Sequence, residues 1–316
     1  MVEVSNAGRV VFPEVGITKG DVVAYYERVA PRALPHLEGR PLSIRRFPKG
    51  LAAPGFFQKN VPPHYPASMD RVTVPRSPGA AKRRPKAIDD GEPDVTVYPV
   101  VHTAEHLAFL ANQGAIELHV PTARAPDLHQ PDRVVFDLDP PTGATELVRR
   151  AARDARAFLG ELGLETALVA TGSKGYHLVG RLGGALTADR VLATTQKAAE
   201  LLAAHAPEVM TTAFRVVKRG KRVFVDWLRN APLATVVAPY SLRARPGATV
   251  AVPLAWDELD ARAPDAFGLR DLDELLARPD PLLALAPSDG DAFAARVDAA
   301  FDAAGLVLTQ FDRFRS

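Results

Sequence analysis

The run Arg133-Val-Val-Phe-Asp137-Leu-Asp139-Pro-Pro-Thr-Gly143 constrains this chain more than any other segment. Its apolar, β-rich start predicts a buried strand, and two successive prolines end that strand, because proline cannot donate to a ladder. Residues two apart on a strand share a face, so Asp137 and Asp139 project together from the strand's end. Two carboxylates this close repel each other unless a cation lies between them. Divalent metals bridged by carboxylates resolve that repulsion and are the device of phosphoryl transfer. The plainer alternative is that Asp139 only caps the turn before Pro140.

Composition narrows what such a metal site can be. The 316 residues contain no cysteine, which excludes thiolate ligands and disulfides and fits a reducing cytoplasm. Carboxylate, imidazole and water remain as donors, and an oxygen-rich set suits Mg²⁺ or Mn²⁺. An apolar content of 47% supports a core, and no apolar run reaches membrane-spanning length, so no membrane partner is expected. The first residues show no basic stretch followed by an apolar one, so no secretory signal is read there. Net charge is only +2, but it is clustered. Arg76 through Lys86 is basic, Asp89 through Asp94 follows as an acidic run, and Lys218-Arg219-Gly-Lys221-Arg222 is basic again. Such patches bind phosphate backbones or are simply solvated loops.

Hydrophobic periodicity predicts helices at 21–34, 103–114, 145–162 and 188–204, with Gly114 ending the second. It predicts strands at 42–47, 116–120, 133–139, 166–170, 176–181 and 221–228, and an exposed loop at 75–94. The tail over 257–304 reads as short helices broken by proline. β-α-β units mixed with adjacent strands argue an α/β or mixed α+β domain and not a simple doubly wound sheet.

Four further segments could carry chemistry. In Lys221-Arg-Val-Phe-Val-Asp226-Trp-Leu-Arg229 a strand delivers one more acid, which needs either a metal or a salt bridge to Arg229. In Ala170-Thr171-Gly172-Ser173-Lys174-Gly175-Tyr176-His177 two glycines permit a tight turn, while Thr171, Ser173 and Lys174 offer donors to a triphosphate. This is not the G-x-x-x-x-G-K-[ST] phosphate loop, and a hairpin with incidental polar residues is the alternative. In Ala238-Pro-Tyr240-Ser241-Leu-Arg243-Ala-Arg245 two arginines share one face of an extended segment, ready for phosphate or for solvent. In Gly55-Phe56-Phe57-Gln58-Lys59-Asn60 two adjacent aromatics lie in a loop flanked by Lys59 and Arg46. They can stack on bases, or one can anchor the loop.

FDLDP, ATGSKGYHLV, VFVDWLRN and APYSLRARPG, in this order, resemble the polymerase module of bacterial DNA ligase D, within the archaeo-eukaryotic primase superfamily. The resemblance runs from about Asn6 to about Glu258. It implies a primase-polymerase fold with an RRM-like catalytic core and one domain over 1–316. Within it, 1–120 would bind DNA and a 5′-phosphate, 121–260 would be the catalytic core, and 261–316 a helical tail. It implies two Mn²⁺ or Mg²⁺ ions on Asp137, Asp139 and Asp226. It implies contacts to an incoming NTP or dNTP from Thr171, Ser173, Lys174, His177, Arg229 and Arg243, with His119 near the sugar and Arg46 and Lys59 alongside. Asn6, Arg9 and Lys19 match the family's pocket for a downstream 5′-phosphate, and Phe56 and Phe57 its template-stacking pair. The implied activity is templated gap filling or end extension in DNA repair such as non-homologous end joining. Ribonucleotides and Mn²⁺ are the implied preferences, and a ligase and a Ku-type end binder the implied partners, in a bacterial cytoplasm at the nucleoid.

The sequence departs from the pattern in three places: Thr171 stands where serine is usual, Arg9 where lysine is common, and 230–234 lacks a frequent glycine. No ligase or phosphoesterase module lies within these residues, so a stand-alone relative and a piece of a longer chain both remain open. A haloacid-dehalogenase-type phosphatase would want Thr or Val where Pro141 stands. A metal-dependent nuclease using the same acids, and a non-catalytic DNA-end scaffold, are the remaining alternatives. Clustered anions facing phosphates speak against the scaffold.

Overall fold

Thr18 starts the framework by accepting a hydrogen bond from the Asp21 N–H, while the Asp21 carboxylate accepts from the Thr18 N–H, a closed capping box. In the computed structural model, which describes residues 3–75 and 95–308, two short strands, β1 (Val10–Phe12) and β2 (Ile17–Thr18), lead into helix α1 (Lys19–Leu37). The expected loop at 75–94, with its basic and acidic runs, lies outside the described residues apart from Pro75. Strands β3 (Ser43–Arg46), β4 (Phe56–Gln58), β5 (Asp70–Pro75) and β6 (Val95–Val100) follow, then helix α2 (Ala104–Asn112) and strand β7 (Ala115–Val120). The paired phenylalanines therefore sit on a short strand and not in the loop that was expected. Their side chains stay exposed, 48% for Phe56 and 58% for Phe57, so neither anchors a core.

The second half begins with β8 (Arg133–Asp139), α3 (Thr145–Glu161), β9 (Thr166–Ala170), β10 (Tyr176–Gly183), α4 (Ala188–His205), β11 (Met210–Thr211), the single turn α5 (Val216–Arg219) and β12 (Val223–Asp226). β13 (Val236–Val237), β14 (Val252–Leu254), α6 (Leu272–Ala277), α7 (Pro281–Ala284), β15 (Ser288–Asp289) and α8 (Gly290–Ala303) complete it. The larger sheet runs β11-β12-β8-β10-β9-β14, with β15 also on β10. Its centre, β12-β8-β10-β9, is the fourth, first, third and second strand of a β-α-β-β-α-β unit, the split arrangement of RRM-like folds. A second sheet runs β13-β7-β3-β4.

Alternation on β8 decides where chemistry goes. Val134, Phe136 and Leu138 enter the main core with residues of α3 and α4, such as Val148, Leu159 and Leu202. Arg133, Val135, Asp137 and Asp139 face the other way, where Val135 packs with Val169, Val179 and Leu282. Helices thus cover one face, and the opposite face is left to α7 and to the second sheet. Both faces of β8 are largely buried, which is why its sequence reads as a continuous apolar run.

Candidate functional site

Antiparallel pairing sets Asp137 opposite His177 on β10 and opposite Asp226 on β12. Directly opposed residues share a face, so Asp226, Asp137 and His177 form one row across three strands, with Asp139 two residues further along β8. Asp137, Asp139 and His177 open on a pocket of about 200 Å³. Asp137, Asp139, Thr171, Ser173, Lys174 and His177 line one side of it; His119, Arg229, Val236, Arg243 and Arg245 line the rest. Residues from six separate segments of the chain meet here.

Cations answer the acids directly. The Arg229 guanidinium bridges Asp137 (Nε to Oδ2, 3.2 Å) and Asp226 (Nη2 to Oδ2, 3.0 Å). Lys174 Nζ stands 3.5 Å from Asp139 and donates to the Pro140 carbonyl at 3.1 Å. His177 Nε2 lies 3.6 Å from Asp137. The salt bridge that competed with metal ligation for Asp226 is thus present. Even so, the acids remain under strain. Burial, then the neighbouring Asp139, pushes the Asp137 carboxyl up to about 6 against the pull of Arg229. Burial likewise pushes Asp226 up to about 6, with Asp137 adding to it and Arg229 opposing. Burial and the positive charges of Arg229 and Arg243 depress His177 to about 3, so its imidazole is neutral. Among the described residues no three acid or imidazole groups converge closely enough to form a ready-made metal cage. The donor set is nonetheless all hard oxygen and clustered on one face. That chemistry fits a divalent cation of the Mg²⁺ or Mn²⁺ type.

The turn over 171–175 is built for close approach. Gly172 has φ +64°, and a Cβ there would stand 2.7 Å from Arg243 Cγ and 2.8 Å from the Val250 backbone. A Cβ on Gly175 would stand 2.1 Å from the Leu138 carbonyl oxygen, so only glycine lets this turn lie against the end of β8. The Thr171 hydroxyl donates to the Gly175 carbonyl at 2.7 Å, so it shapes the turn instead of standing free as a donor. Arg243 donates to the Thr171 carbonyl and ties the 238–245 segment to the turn. That segment is held from behind by buried hydroxyls: Ser241 Oγ accepts from Leu118 N–H at 2.8 Å, and Tyr25 donates to the Tyr240 carbonyl at 2.9 Å.

Arg46 and Lys59 do not line this pocket. Arg46 donates to the Gln113 carbonyl and to Gln58, with its guanidinium 5.7 Å from the Phe56 ring centroid, so it braces the strand that carries the phenylalanines. Lys59 lines a separate groove beside Phe57, Thr96 and Leu233. Phe57 itself packs edge-to-face with the His119 ring, with centroids 5.4 Å apart.

Asn6, Arg9 and Lys19 gather at the start of α1. Arg9 N–H donates to the Asn6 carbonyl, and Lys19 N–H to the Arg9 carbonyl. Lys19 is only 4% exposed; its ammonium donates to the Ser5 carbonyl and hydroxyl, and burial and then Arg9 lower its pKa. Arg9 Nε is buried with no hydrogen-bond partner. Two cations beside the first turn of a 19-residue helix make an anion-friendly corner.

Sequence reading missed Glu117. It is 2% exposed and sits between His119, Arg45 and Arg243. Burial pushes its carboxyl up, but the His119 hydrogen bond, Arg243 and the Ala244 N–H together hold it at about 2. The signal was available in Ile116-Glu117-Leu118, a charged residue inside an apolar strand.

The description LigD, primase-polymerase domain, matches residues 18–282. The multifunctional non-homologous end joining protein LigD of Mycolicibacterium smegmatis is 35% identical over 295 residues, 92% of this chain and 36% of that protein. The namesake from Pseudomonas aeruginosa is 33% identical over 277 residues, 87% of this chain and 31% of that protein. The chain therefore spans about a third of the length of these relatives. Among solved structures, the polymerase domain of Mycobacterium tuberculosis ligase D in complex with DNA superposes with a TM-score of 0.80 at 34% identity, covering 91% of this chain and 99% of that one. On fold, on sequence and on the order of its motifs, this chain belongs to the LigD primase-polymerase domain family.

Proposed function

We propose that the chain is a template-directed nucleotidyltransferase that fills short gaps or extends ends of DNA during non-homologous end joining. The observation that carries this reading is the row Asp226, Asp137 and His177, two of whose members, Asp137 and His177, line a pocket shared with Lys174, Arg229, Arg243 and Arg245. Acids together with Lys174, Arg243 and Arg245 in one pocket suit a nucleoside triphosphate, whose anionic tail the cations would hold while its reacting phosphate meets the acids.

Asp137, Asp139 and Asp226 would hold two divalent ions, Mn²⁺ or Mg²⁺. When bound, these would supply activation of the primer 3′-hydroxyl and neutralisation of the leaving pyrophosphate. Arg229 keeps Asp137 and Asp226 together and would hand over carboxylate oxygens as cations engage. Neutral His177 can donate one hydrogen bond to a phosphate oxygen without adding charge. Ser173 and the 171–175 turn bring hydroxyl and N–H donors to the same place. Asn6, Arg9 and Lys19 would clamp the 5′-phosphate of a downstream strand, and Phe56 and Phe57 would stack on template bases at the gap. A ribonucleotide and Mn²⁺ preference, a cooperating ligase and Ku-type end binder, and action in the bacterial cytoplasm at the nucleoid belong to the same reading. No described helix is long and apolar enough to cross a membrane.

Gap filling on a duplex with a 5′-phosphorylated downstream strand tests the proposal, with Mn²⁺ or Mg²⁺ and ribo- or deoxyribonucleotides, beside Asp137→Ala. Templated extension by the wild type alone supports it. Shortened strands would instead reveal a nuclease, and gap binding without extension a scaffold.

A further inference from the structure

Glu117 lies behind the pocket and takes no part in the activity proposed above. On β7 it shares a face with His119, while Ile116, Leu118 and Val120 point into the core. Its Oε2 accepts from His119 Nε2 at 3.0 Å. Its Oε1 accepts from the Ala244 N–H at 2.9 Å, from Arg45 Nη1 at 3.3 Å and from Arg243 Nε at 3.4 Å.

Each of the three side chains leads to a different part of the site. His119 lines the pocket and packs edge-to-face with Phe57. Arg45 places its guanidinium 5.9 Å from the Phe57 ring centroid. Arg243 lines the pocket and holds the 171–175 turn through the Thr171 carbonyl. A buried carboxylate is a poor way to gain stability, since an apolar side chain of similar size is often as good or better there. It is a good way to fix the direction of several donors at once.

We propose that Glu117 is a positioning residue that locks His119, Arg45 and Arg243 into one arrangement, joining the Phe57 platform to the nucleotide pocket. The inference rests on the polymerase reading. A carboxylate only accepts, so the His119 proton must sit on Nε2, and Nδ1 is left as an acceptor.

The test uses the full chain with Mn²⁺ and a gapped, 5′-phosphorylated duplex. Glu117→Gln should raise the nucleotide KM about tenfold, the scale of one charge-assisted hydrogen bond, at nearly unchanged kcat. In a His119→Ala background the same substitution should raise KM by a clearly smaller factor, because the His119 share of the lock is already lost and only the Arg243 share remains. Nitrogen-15 NMR of the wild-type imidazole, without nucleotide or metal, should read Nε2 protonated and Nδ1 bare.

An unchanged KM, a penalty of equal size with and without His119, or a wild-type His119 protonated on Nδ1 overturns the role. If Glu117→Gln does not fold, the wild-type tautomer decides alone. A wild type that fails to extend primers yet shows the Nε2–H tautomer sinks the polymerase reading and leaves the Glu117 arrangement standing.

Discussion

Asp137→Asn should stabilise the metal-free protein while destroying its activity. The Asp137 carboxyl is 14% exposed and pushed up to about 6 from 3.8 by burial and by Asp139. That upward shift means the charged form is worse off in the folded chain than in the unfolded one. At about 1.4 kcal/mol per pKa unit, the penalty at neutral pH is about 3 kcal/mol, with the attraction of Arg229 already included. Asparagine keeps the shape and removes the charge, so a gain of about 1–3 kcal/mol is expected, or about 1.5 °C of Tm per kcal/mol in a chain of this size. The sign with pH follows from the raised pKa. Protonation of Asp137 in the folded state restores wild-type stability as pH falls through 6 towards 4, so the advantage of the variant should shrink over that window. Adding Mn²⁺ should also reverse the order, because ligand at a hundred times Kd stabilises the wild type by about 2.7 kcal/mol and leaves the variant behind. The assay is thermal unfolding in EDTA and in Mn²⁺, from pH 7.5 to pH 5. A variant less stable than the wild type in EDTA at pH 7.5, or an advantage that does not change with pH, would refute the reasoning.

Three other substitutions probe separate parts of the molecule. Lys19→Ala should weaken binding to gaps with a 5′-phosphate by about tenfold or more and leave gaps without one nearly unaffected, as read by fluorescence anisotropy; equal loss on both would remove the phosphate corner. Phe57→Ala removes a ring that is 58% exposed, so folding stability should hold within about 0.5 kcal/mol while affinity for a gapped template falls by about 1–3 kcal/mol. Gly172→Ala places a Cβ 2.7 Å from Arg243 and at positive φ; it should cost at least about 1–3 kcal/mol in denaturant unfolding and raise the nucleotide KM, and a silent substitution would mean that the turn is not held against Arg243.

The parts legible in the sequence were those governed by local rules. The apolar strand stopped by Pro140 and Pro141 delivered both aspartates to one face, and alternation alone was enough to say so. The helices expected from 21, 103 and 188 start within two residues of those positions, where the structure shows Thr18, Thr103 and Thr187 as capping hydroxyls. The β-α-β-β-α-β order was visible as an alternation of periods. Short strands such as β4, β11 and β14 were not, because two or three residues carry no period to detect.

What only tertiary structure decided is who meets whom. Spacing along the chain could not tell that Asp226 sits opposite Asp137, since strand register depends on packing between distant segments. Nor could it tell that Arg229 would bridge the two acids, or that the Thr171 hydroxyl would turn inward to Gly175. Arg46 and Lys59, basic residues beside the phenylalanines, gave no local sign that the fold would keep them out of the pocket. Glu117 shows the limit best. In sequence it is one charge in a strand; in the fold it is a buried carboxylate whose ionisation is held by donors from β3, from its own strand and from the segment at 243–244, contacts made between residues up to 127 positions apart. Local sequence chose the elements and the chemistry available on each, and long-range packing chose which of those groups share a solvent-poor space and so act on one another.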